Sequence, residues 1–167
     1  MKYDYKVTAA GRVNIIGEHV DYCGGKVFPA ALSMKNTVLV KANGGDRINL
    51  SWTTTDFTIS LDINELEKYA GVKYANYIAG CALIWKNAGH KLLGCDMLQD
   101  CKVPFGSGLS SSAAFESLMG AVFSHLYNDG RVSAVEIAVS GKRAENEYYK
   151  KPSGMMDQTA TANGGFV

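Results

Sequence analysis

The chain has 167 residues, 47% hydrophobic and 20% charged, with a net charge of +1. This composition fits one folded domain and excludes a disordered chain. No basic run marks a nucleic-acid surface and no apolar stretch reaches the length of a membrane span. The N-terminal MKYDYKVTAAGRVN lacks the apolar core of a signal peptide, so a cytoplasmic protein is expected.

Residues 1–61 read mostly as strands and turns. NTVLVKA (36–42), RINLSW (47–52) and TDFTISL (55–61) are rich in β-branched and aromatic residues, and NGGD (43–46) separates the first two as a hairpin turn would. Asp62 and Glu65 have the spacing of a capping box before a short helix ending near Gly71. Tyr74 to Lys86 reads as a longer helix with Tyr77, Ile78, Cys81, Ile84 and Trp85 on one side, and NAGH (87–90) stops it. Residues 91–104 look extended. A helix is expected from about Ser112 to Tyr127. After the break at NDGR (128–131), Ser133 and Glu136 form a second capping box for a helix running to about Lys150, ended by Pro152 and Gly154.

Cys23, Cys81, Cys95 and Cys101 form no Cys-x-x-Cys pair, and His19, His90 and His125 are too scattered to join them around zinc. Reduced, mostly buried thiols are the expectation.

Three stretches carry chemistry. VPFGSGLSSSAAFE (103–116) runs a glycine turn into three serines at the start of a helix. Glycines there leave room for a ligand, and the unpaired N–H groups and dipole of a helix start attract an anion. This suits a phosphate cradle, although the Gly-Lys-Ser/Thr ending of a Walker A loop is missing. Simple N-capping by serine is the competing reading. GRVNIIGEHVDYCGGKVFPAAL (11–32) crowds Arg12, Glu18, His19 and Asp21 around glycines. These are natural partners for sugar hydroxyls, although a solvated charged turn has the same composition. In KPSGMMDQTATANGG (151–165), Asp157 stands alone among small and apolar residues. Such a carboxylate is either a cap or a group kept for chemistry.

Together the three stretches resemble the galactokinases, within the superfamily that also holds homoserine, mevalonate and phosphomevalonate kinases. GRVNIIGEHVDY is similar to the family's sugar-binding signature, VPFGSGLSSSAA to the superfamily's ATP-binding motif, and GMMDQ to the segment with the catalytic aspartate. YANYIAG (74–80) resembles the start of a family helix. The resemblance implies an α+β fold, a mixed β-sheet covered by helices like the second domain of ribosomal protein S5. It implies transfer of phosphate from ATP to the C1 hydroxyl of galactose, with Mg²⁺. By the same resemblance, Asp157 and Arg12 are catalytic, and Arg12, Glu18, His19, Asp21, Gly154 and Asp157 contact the sugar. Gly106, Ser107, Gly108, Leu109, Ser110, Ser111 and Ser112 hold the ATP phosphates, and Ser112 and Glu145 hold the metal.

Ala10, Cys23, Tyr74, Ser153 and Met155 depart from the family's usual residues. Cys23 also resembles the N-acetylgalactosamine kinases, so that sugar stays open. A non-catalytic galactose sensor stays open too, although the serine loop that such sensors alter is intact here. Galactokinases are more than twice this length. The chain is therefore expected to be the N-terminal domain alone, probing galactose and ATP as a monomer and inactive without the remainder.

Overall fold

A computed structural model describes residues 2–167. Two antiparallel pairs frame its sheet: β1 (Tyr5–Ile16) with β2 (Phe28–Ala42), and β3 (Arg47–Trp52) with β4 (Thr55–Asp62). Strand β5 (Cys95–Asp100) lies between them, antiparallel to β2 and parallel to β3, giving the order β1-β2-β5-β3-β4.

Period-two alternation turns Val38, Val40, Ile48, Leu50, Ile59, Leu61, Cys95 and Met97 to one face. Four helices, α1 (Ala75–Asn87), α2 (Ser111–Tyr127), α3 (Ala134–Arg143) and α4 (Met156–Asn163), complete the fold. Ile78, Ala82 and Trp85 of α1 and Leu118, Met119, Val122 and Phe123 of α2 close the core over that face. The expected α+β class and the helical stripes of α1 and α2 are present. Among the described residues, no helix is long and apolar enough to cross a membrane.

Local expectations fared unevenly. The Ser133–Glu136 capping box forms, with both reciprocal bonds. The Asp62–Glu65 box does not. Asp62 Oδ1 accepts from the Asn64 N–H, and a short 3-10 turn (Leu66–Tyr69) follows in place of a capped helix. The third helix stops short of Lys150. It gives way at Ala144–Tyr148 to a π-turn, in which the Tyr149 N–H reaches the Ala144 carbonyl. Lys150 then adopts a left-handed φ of 57° before Pro152. The wider turn holds Glu145 inward, buried, while the chain is redirected toward α4.

Candidate active site

The site forms where the end of β1, the glycine-serine loop, the π-turn and α4 converge. Arg12 leaves β1 and donates from Nε to Asp157 Oδ1 at 2.8 Å, with Nη2 at 2.7 Å from the same oxygen. Its Nη1 donates to the Gly108 carbonyl at 2.7 Å, which ties the sheet to the loop. The Arg12 N–H also donates to the Leu109 carbonyl, and the Gly11 Cα lies so close that a Cβ there would come within 3.0 Å of that oxygen.

Ser110 does not behave as the simple-capping reading of the serine loop expects. It occupies the N-cap position of α2 in a left-handed conformation, but its hydroxyl makes no cap bond and donates to Asp157 Oδ2. The first N–H groups of α2 therefore have no side-chain cap from Ser110, and they follow directly on the loop in which Gly106 and Gly108 take positive φ. That is the arrangement an anion site requires.

Asp157, in the first turn of α4, thus has both oxygens engaged while remaining partly open to a cleft of about 190 Å³. Arg12, Glu18, His19, Asp21, Gly154 and Asp157 all line this cleft. Asp21 Oδ2 accepts from the Met156 N–H at 3.2 Å, and a Cβ at Gly154 would stand 1.8 Å from that oxygen. Glu18 and His19 are exposed at the rim.

Glu145 meets Ser112, whose hydroxyl donates to Oε1 at 3.0 Å. Burial alone would raise the Glu145 pKa. The hydrogen bond and charge of Lys151, at 2.7 Å, with the hydroxyls of Ser153 and Ser112, hold it below the usual value. Gln158 Nε2 donates to both Glu145 Oε2 and Glu116 Oε2, each at 3.1 Å. Burial first, and the charge of Glu145 second, push Glu116 well above the carboxylate range.

Sequence reasoning did not single out Glu116, Lys151 or Gln158. It also missed an aromatic pocket of about 400 Å³ beside the loop, lined by Trp52, Tyr74, Tyr77, Phe105 and Phe115 together with Ser111 and Ser112. One signal was available: Phe105 and Phe115 flank the serine loop within ten positions of each other.

The galactokinase galactose-binding signature family matches residues 2–42, and the GHMP kinases N terminal domain family matches residues 76–165. The chain is 36% identical to a galactokinase of Clostridium tetani over 154 residues, covering 92% of this chain and 39% of that one. It is 37% identical to a galactokinase of Lactococcus lactis, again over 92% and 39% of the two chains. The crystal structure of Lactococcus lactis galactokinase complexed with galactose superposes with a TM-score of 0.89 at 34% identity, over 98% of this chain and 43% of that one. Mevalonate kinase of Methanococcus jannaschii superposes with a TM-score of 0.82 at 20% identity, over 99% and 52%, a likeness of fold. The chain thus spans about two fifths of the length of the curated relatives it matches.

Proposed function

Because the chain belongs to the GHMP kinase family, we propose that it supplies the ATP site and most of the sugar site of a galactokinase. The reaction moves the terminal phosphoryl group of ATP to the C1 hydroxyl of galactose and gives galactose 1-phosphate, the entry step of galactose use. A monomer in the cytoplasm, where ATP is plentiful, suits this role.

The observation that carries the reading is Asp157, bridged by Arg12 and Ser110 between the sugar cleft and the phosphate loop. Asp21, Glu18 and His19 take the sugar hydroxyls. Asp157 accepts the proton of the attacking C1 hydroxyl, or orients it, and Arg12 offsets charge on the phosphoryl group in flight. Uncapped N–H groups of α2, with the backbone of Gly106 to Leu109 and the hydroxyls of Ser110 to Ser112, hold the phosphates. The aromatic pocket takes the base.

Magnesium fits the Ser112–Glu145 pair, two hard oxygen donors of which the carboxylate is held ionised although buried. Bound there with the nucleotide, it would neutralise phosphate charge. An open groove beside the cleft, lined by His19, Tyr22 and Lys150, favours a second reading in which the sugar carries an N-acetyl group.

The test is a chimera in which this chain replaces the matching part of Lactococcus lactis galactokinase. It should convert galactose faster than N-acetylgalactosamine. Asp157→Asn in the chimera should cut turnover by about 10²–10⁴ with ATP binding intact. A folded chimera that phosphorylates neither sugar, or a near-normal Asp157→Asn variant, would sink the assignment.

A further inference from the structure

One buried side chain in the aromatic pocket is left out of the chemistry above. The inward positions of β5 run Cys95, Met97 and Gln99, so an amide stands where the alternation calls for an apolar residue. Gln99 lies between Val38 of β2 and Trp52 of β3 and is 1% exposed. Neither Nε2 nor Oε1 has a hydrogen-bond partner among the described residues. An unpaired buried amide is costly, and an apolar residue would suit a core that needed nothing else from this position.

Gln99 also lines the pocket. Of the other polar groups there, Asn76 Oδ1 accepts from the Tyr77 N–H, Ser112 donates to Glu145, and Lys73 sits over the Tyr74 ring. Aromatic walls can stack on the faces of any base, but they cannot read its edge. A carboxamide can, because it presents one donor and one acceptor side by side.

We propose that the Gln99 carboxamide reads the base edge of the nucleotide in this pocket and accepts 6-amino and 6-oxo purines alike, so that ATP and GTP both bind. The proposal rests on the reading of the pocket as a nucleotide site. Adenine offers an acceptor at N1 and a donor at N6, whereas guanine offers an acceptor at O6 and a donor at N1. The two patterns are mirror images. An amide that no protein partner fixes turns over to meet either one.

Fluorescence titration of the full chain with ATP, GTP and purine riboside triphosphate, which lacks the 6-substituent, tests it, since Trp52 lines the pocket. ATP and GTP should bind within about tenfold of each other, and the purine analogue about three- to tenfold more weakly than ATP. The length-matched, apolar Gln99→Met should weaken ATP and GTP by about tenfold each, erase the gap between ATP and the analogue, and raise the thermal midpoint of the free chain. Wild-type binding of both nucleotides by Gln99→Met, or GTP weaker than ATP by more than about tenfold, overturns the proposal. If Gln99→Met does not fold, the ligand series on the unaltered chain decides, and equal affinity for ATP and the analogue overturns it. ATP binding that ignores Gln99 removes this inference alone. Failure of the unaltered chain to bind any nucleotide removes the nucleotide reading of the pocket as well.

Discussion

Single residues at this site are held by close approach. Gly154 has no Cβ because Asp21 fills that space, and the backbone N–H of Met156 in turn fixes Asp21. Gly154→Ala must push the carboxylate away and break this bond. Loss of a charged hydrogen bond costs roughly 1.5–3 kcal/mol, so galactose affinity should fall by an order of magnitude or more while ATP affinity holds. Calorimetry with each ligand checks this, and equal losses for both would contradict it. Part of this was legible in the sequence as residue types: Arg12, Asp21 and Asp157 stand out in their stretches, whereas Gly154 reads there only as a helix end and enters as a sugar contact through the family resemblance. Their mutual positions were not legible. Arg12 and Asp157 are 145 positions apart, and nothing local in either stretch encodes the 2.8 Å between them.

Elements show where local pattern is enough and where it fails. Ser133 and Glu136 cap α3 as their spacing predicts, with the Glu136 N–H donating to Ser133 Oγ at 3.2 Å. Ser133→Ala should cost about 1 kcal/mol of stability, within the 0.5–2 range for lost caps, seen as a lower thermal midpoint. The backbone N–H of Ser133, then its hydroxyl, holds Glu136 below the usual glutamate pKa of 4.5. A folded-state pKa below the unfolded one means that this contribution is complete above pH 4.5 and is lost as pH falls through the folded value. The stability gap between the protein and Glu136→Ala should therefore narrow as pH drops below 4.5, and a gap that widens in acid would refute the assignment. The same spacing at Asp62 and Glu65 yields no cap, because Asp62 is the last residue of β4 and Asn64 and Tyr69 claim its polar groups. Helix α4 was not legible at all. Residues 156–163 are mostly small and polar, and packing against α2 and α3 makes them helical rather than any apolar stripe.

At the scale of the whole molecule the core sorts the cysteines. Cys81 and Cys95 are buried, Cys101 is half-buried at the aromatic pocket and Cys23 is exposed. Burial pushes both core thiols up, Cys95 to about 12. With a chromogenic disulfide reagent, Cys23 should react first and Cys101 more slowly, the latter protected by ATP. Cys81 and Cys95 should stay silent until the chain unfolds. Rapid labelling of all four in the native protein would show that this core does not form. The order of the sheet carries a further consequence, in time rather than in space. Each outer strand pair joins neighbours in sequence, but β5 must enter between the two pairs from beyond α1, which separates it from β4 along the chain. Closing the longer loop costs more chain entropy before any contact repays it. The hairpins should thus form early and β5 should dock last, as the keystone. In stopped-flow refolding, Ile59→Ala in the second hairpin should mainly slow folding, whereas Met97→Ala in β5 should mainly speed unfolding. The opposite partition would mean that the sheet assembles from its centre outward.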